Sequence, residues 1–129
     1  MSKKSRGSNA ERDLIHKFWA SGWAAMRSAG SGSSQYPSPD VIASNNTRKL
    51  AIEAKLTTEE KKYFDAQEIK ELQYFAEKFG AEAWVAVKFF RKEWVFIALE
   101  DLVSTGKHFV VTQEVADRRG LLFEELIGA

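Results

Sequence analysis

The order of patterned segments predicts an α/β fold in which a mixed central β-sheet is flanked by α-helices. Two observations carry that expectation. Helical and strand-like periodicities follow one another as αβββαββ, with a further short strand and a terminal helix. The runs AWVAVKFF (83–90) and EWVFIAL (93–99) are nearly unbroken apolar stretches, as expected of strands covered on both faces. A chain of 129 residues with 44% hydrophobic and 29% charged residues forms one domain over 1–129 with a sizeable core.

The first seven residues, with Lys3, Lys4 and Arg6, read as a flexible basic arm. A helix follows, because Ser8 and Glu11 have capping-box spacing and Leu14, Ile15, Phe18 and Trp19 form one apolar stripe. Ser21-Gly22 ends it. WAAMRS (23–28) is a short strand, AGSGSSQYPSP (29–39) a loop, and DVIA and KLAIEAKL (49–56) two strands joined by the turn residues SNNTR. TTEEKKYF is a charged connector. A second helix runs from about Asp65, a plausible N-cap, to Phe79, is closed by Gly80, and carries the stripe Ile69, Leu72, Phe75, Phe79. The two apolar strands, a shorter strand near HFVVT and a helix around LLFEELI complete the chain.

Composition narrows the chemistry. With no cysteine, thiolate metal sites, disulfides and thiol catalysis are excluded. The basic start lacks the apolar run of a signal peptide, and no window approaches a membrane span, so an intracellular protein without membrane contact is expected. The net charge of +1 means that nucleic-acid binding rests on local clusters of Lys and Arg.

Why a strand that could be filled with valine should hold Glu53 and Lys55 is the informative question. Alternation puts both on one face, opposite Leu50, Ile52, Ala54 and Leu56. The plain reading is a half-exposed strand with a charged outer face. Acid-x-Lys occurs four times in the chain, but only here in a strand preceded by one headed by Pro-Asp. If those strands pair, Asp40 and Glu53 approach, and two carboxylates in a small volume repel unless a cation joins them. Hard oxygen donors select Mg²⁺ or Mn²⁺, and an acidified water beside Lys55 is then a nucleophile for a phosphodiester.

Other residues carry two readings each. Glu11 either caps the first helix or faces the sheet as a third acid beside Asp40 and Glu53. Arg12 and Arg27 are either solvated or bidentate donors to a phosphate. GSGSS is a flexible loop or one that probes a junction, and Lys61 and Lys62 either contact phosphates or solvate the connector. Phe75 and Phe79 belong to the core or to an interface.

The segments GSNAERDLIHKFWASGWAAMRSAGSGSS, PD, IEAK and YFAEKFGAEAWVAVKF, with a closing Trp strand, resemble archaeal Holliday-junction resolvases of the Hjc type, within the PD-(D/E)xK nuclease superfamily. The resemblance implies a restriction-endonuclease-like fold and a homodimer that cuts opposed strands of four-way branched DNA with Mg²⁺. It matches Glu11, Asp40 and Glu53 to the family's acidic cluster, Lys55 to its lysine, and Arg12 and Arg27 to its essential arginines. Ser31 matches a serine implicated in some members, and Phe75 and Phe79 match aromatics on the helix associated with the dimer. Lys3, Lys4, Lys61 and Lys62 are further expected DNA contacts. A cytoplasmic, nucleoid-associated protein, working beside unidentified repair or recombination proteins, follows as an expectation. The rival expectations are a superfamily nuclease acting on flaps or ends, and a non-catalytic junction-binding paralogue.

Overall fold

A computed structural model describes residues 3–28 and 35–128, with side chains from residue 6 onward. The chain forms α1 (Lys3–Ala20), β1 (Ala24–Arg27), β2 (Val41–Ser44), β3 (Lys49–Thr57), β4 (Lys61–Asp65) and α2 (Ala66–Phe79). β5 (Glu82–Phe89), β6 (Trp94–Ala98), β7 (Val103–Ser104), β8 (His108–Thr112), α3 (Gln113–Arg119) and α4 (Phe123–Leu126) follow. The expected α/β sheet is present as five strands in the order β1-β2-β3-β5-β6, accompanied by a three-stranded sheet, β4-β8-β7. Contacts divide the chain into two compact units, Met1–Glu53 with Glu71–Ala83, and Ala54–Lys70 with Trp84–Ala129.

In the first unit, α1 buries Leu14 and Phe18 completely. It closes in a Schellman motif: Trp23 N–H donates to the Phe18 carbonyl at 3.0 Å and Gly22 N–H to that of Trp19 at 3.2 Å. Gly22 sits at φ +86°, which only glycine adopts freely, and the Phe18 and Trp23 rings, 5.6 Å apart, provide the apolar contact of the motif. Three expectations meet a different outcome here. The helix begins at Lys3, so it takes in residues 3–7, expected as a flexible basic arm, and Ser8 is not its cap. Trp19 is 59% exposed, its indole N–H spent on the Ala25 carbonyl at 2.9 Å, so it leaves the apolar stripe.

The β2–β3 hairpin is set by Asn45, whose Oδ1 accepts from the Thr47 and Arg48 backbone N–H groups at 3.1 and 2.8 Å. That turn fixes the antiparallel register at Val41↔Ile52 and Ser44↔Lys49. Arg48 closes the base of the hairpin on Glu82 with two bonds, Nε at 2.8 Å and Nη2 at 2.9 Å.

The second unit holds the β5–β6 hairpin, whose Val85, Ala86, Val87, Phe96 and Ile97 are fully buried. The segment read as a charged connector contains β4, paired along its whole length with β8. Lys61, Tyr63 and Asp65 face out while Phe64 is completely buried, so one apolar residue carries the inward side. No described helix is long and apolar enough to cross a membrane.

Candidate active site

The hairpin register decides which acids meet. Val41 faces Ile52, so the next opposed positions are Asp40 and Glu53. On the other side, β1 pairs with β2 through Arg27↔Val41, and the Ser28 N–H donates to the Asp40 carbonyl at 2.8 Å. Asp40 thus stands where the end of β1 and the middle of β3 flank the start of β2. Glu11 reaches this end of β1 from α1: its Oε1 accepts from Arg27 Nε at 3.2 Å, and Arg27 Nη2 donates to Ser8 Oγ at 3.3 Å. Ser8 and Glu11 therefore act on Arg27, not as the capping box their spacing suggests.

Lys55 follows Glu53 by two residues in β3, and both are half-buried with the buried Ala54 between them. Within the second unit its ammonium meets Glu68 Oε2 at 3.0 Å. Sequence reasoning did not single out Glu68. Its other oxygen accepts from the Asp65 backbone N–H at 3.1 Å, which is the N3-to-N-cap half of a capping box. The spacing Asp65-x-x-Glu68 at a helix start was the available signal, and it shows why Glu68 is held still enough to hold Lys55.

The other expected residues are more dispersed. Arg12 is exposed and reaches only Asn9 Oδ1, at 3.3 Å, among the interactions described for it. Lys61 is exposed over the Tyr63 ring, 6.0 Å from its centroid, and Lys62 is half-buried. Ser31 lies outside the described residues; Lys3 and Lys4 lie in α1, but their side chains are not among those described. Phe75 and Phe79 stack at 5.1 Å on α2, with Ile69, Leu72 and Ala76 buried in the core and Phe79 44% exposed. Lys49 lies over the Phe79 ring at 5.8 Å.

The donor set suits a hard divalent cation: extending the β2–β3 register by one step brings Asp40 across from Glu53, and Mg²⁺ is commonly held by one or two carboxylates with water elsewhere. Among the described residues no three His, Asp or Glu side chains gather closely enough to form a metal group. The expected three-carboxylate cluster is thus not assembled in this conformation, and the Arg27 guanidinium engages the Glu11 carboxylate.

An α/β sheet with opposed acids at one hairpin and a lysine two residues on belongs to the restriction-endonuclease-like class of folds. The family model described as "Archaeal holliday junction resolvase (hjc)" matches residues 2–129, and the chain belongs to that family. It is 42% identical over 132 residues to crossover junction endodeoxyribonuclease Hjc of Archaeoglobus fulgidus, covering 97% of each chain. The protein of the same name from Methanocaldococcus jannaschii is 32% identical over 126 residues, covering 98% of this chain and 90% of its own. The solved structure of Archaeoglobus fulgidus Hjc, described as a Holliday junction resolvase from an archaeal hyperthermophile, superposes with a TM-score of 0.87 at 40% identity. That superposition covers 95% of this chain and 96% of the other.

Proposed function

We propose that this chain is a structure-selective, metal-dependent DNA endonuclease that resolves four-way junctions by paired phosphodiester hydrolysis on opposed strands. The observation that supports it most is the β2–β3 register, which opposes Asp40 to Glu53 in a chain of the resolvase family. Nucleases of this family are metal-dependent in general. Mg²⁺ is the cation assigned here, with Mn²⁺ able to substitute, because carboxylate oxygens are hard donors. Asp40 and Glu53 would hold it. When bound, the cation supplies positive charge against the phosphate and makes water more acidic.

The chain's own groups do the rest. Lys55, aimed by Glu68, donates to the phosphate oxygens as charge builds on them. Arg27 offers a planar fork to a phosphate, and Glu11 and Ser8 orient it. Water gives up a proton to solvent as its oxygen bonds to phosphorus, the P–O bond to the leaving sugar oxygen breaks with its electron pair going to that oxygen, and the oxygen takes up a proton from solvent. Arg12, Lys61 and Lys62 serve as outer phosphate contacts.

Junction selectivity comes from shape and phosphate geometry, and two sites related by a two-fold axis suit a branched substrate of approximate two-fold symmetry. The homodimer is assigned to the Phe75–Phe79 face, since Phe79 is left outside the core. The work is assigned to the cytoplasm at the nucleoid.

Competition among a four-way junction, a flap and a linear duplex in Mg²⁺ tests the reading. The junction is cut preferentially, and Asp40→Asn or Glu53→Gln abolishes cutting while junction binding stays within a few-fold. Equal cutting of flap or duplex favours the rival nuclease, and binding without nicking at any Mg²⁺ concentration favours a non-catalytic paralogue. The double change Phe75→Ala with Phe79→Ala gives folded monomers that nick without making the paired cut, checked by sedimentation and circular dichroism. A folded dimer that still makes paired cuts puts the interface elsewhere.

A further inference from the structure

The tip of the β5–β6 hairpin has features the site above does not use. Lys92 N–H donates to the Phe89 carbonyl at 2.9 Å, so Phe89, Phe90, Arg91 and Lys92 form a tight turn. Its third residue, Arg91, sits at φ 60°, a position that turn chemistry gives to glycine or asparagine. Phe90 is 61% exposed, and the Arg91 guanidinium carbon lies 5.0 Å from its ring centroid, so ring and guanidinium make one exposed surface.

The tip is also braced. Lys88 Nζ donates to the Lys92 carbonyl at 2.7 Å, and Lys92 Nζ donates to Gln113 Oε1 at 3.2 Å, tying the turn to the start of α3. The run 88–93 holds three cations, Lys88, Arg91 and Lys92, against the single acid Glu93. Among the described residues none of the three is paired with a carboxylate. A braced tip of net positive charge around an exposed aromatic ring is complementary to a polyanion that also offers flat apolar faces.

We infer that the Phe89–Lys92 turn is a DNA contact: Arg91 and Lys92 take backbone phosphates, and the Phe90 ring packs on a base face left open at a branch point. This rests on the reading that the chain acts on branched DNA. Base faces are exposed at a branch and hidden along a duplex, so Phe90 contributes to discrimination and the two cations to affinity on any DNA.

The test uses the full chain, a labelled four-way junction and a labelled duplex of the same arm sequence, with affinity measured by anisotropy over a range of salt. Arg91→Gly removes the cation and relieves the backbone, so the melting temperature stays level or rises. Its affinity for both DNAs falls, and the slope of log affinity against log salt shrinks by about 0.9, one phosphate contact. Phe90→Ala weakens junction binding about tenfold, leaves duplex binding within about twofold and keeps the slope. Parent-like affinity and slope in both variants overturn the inference, as does an affinity loss that tracks a lowered melting temperature. A parent that binds junction and duplex equally sinks the functional reading alone, because the Arg91→Gly ratio on either DNA still decides the tip. A parent that binds neither overturns both.

Discussion

Arg27 and Arg48 belong to the same unit, and each is paired with a glutamate, yet their geometry differs. Arg48 grips Glu82 through two bonds of 2.8 and 2.9 Å and stands 5.6 Å from the Trp23 ring centroid. Its guanidinium is held above its ordinary pKa, first by the hydrogen bond to Glu82 and further by that group's charge, against an opposing effect of burial. Arg27 makes longer contacts, 3.2 Å to Glu11 and 3.3 Å to Ser8, through two different nitrogens. Each arginine uses Nε and Nη2, so the difference lies in grip: two short bonds to one carboxylate hold the Arg48 fork, whereas two longer bonds to separate acceptors release Arg27 more easily to a phosphate. Short bonds to one carboxylate mark an arginine that holds the hairpin base; longer bonds divided between two acceptors mark one that can be handed to a substrate.

The widest separation between the two is expected from alanine. Arg27→Ala slows junction cutting about a hundredfold or more, as loss of a transition-state donor does, with little change in melting. Arg48→Ala does the reverse: cutting persists, and stability falls by about 1–2 kcal/mol. Partial solvation of both side chains keeps the loss small. Cleavage gels beside thermal melts read both. An Arg48→Ala protein that folds but does not cut, or an Arg27→Ala protein that cuts normally, breaks the comparison.

Lys55 extends the contrast to the other unit, where one 3.0 Å contact with Glu68 positions it. Glu68→Ala slows cutting by about tenfold through misplacement of the lysine. Helix stability falls by about 0.5–1 kcal/mol from the lost N-terminal bond. Glu68→Gln has a single acceptor oxygen, so it keeps the bond from the Asp65 N–H but turns a donor toward Lys55: melting recovers while single-turnover cleavage stays slow. Equal rates for parent and Glu68→Ala would remove Glu68 from the site.

The smallest effect concerns pH. A raised arginine pKa contributes stability that is fully present below the group's ordinary pKa and is lost only as pH climbs through the higher folded value. The melting difference between the parent and Arg48→Ala therefore stays constant from about pH 7 to pH 10, well below the guanidinium range. A difference that shrinks over that range in thermal melts shows that the pair is not what Arg48 contributes.

Much of this was legible beforehand. The hairpin, the second helix and the two apolar strands follow from local period and turn residues, and Asp40, Glu53 and Lys55 stand out because charge interrupts an apolar strand. The errors have specific causes. Ser8 and Glu11 have the spacing of a capping box but serve Arg27, sixteen residues away from Glu11. β4 looks like a connector because Lys61, Tyr63 and Asp65 are polar or amphipathic and exposed, and its partner β8 is distant in sequence. Glu68 was missed because a helix-start glutamate satisfies a local rule whatever else it touches.

Residue types and their spacing by themselves determined the α/β order, the absence of thiol chemistry, and the placing of Glu53 and Lys55 on one face of one strand. Each of these depends on backbone periods that extend over a few residues. Only the tertiary structure decided that Asp40 opposes Glu53, that Arg27 rests on Glu11, that Glu68 holds Lys55, and that Phe79 stays outside the core. Those depend on strand register and on the packing of distant segments, where a shift of one residue turns every side chain to the other face.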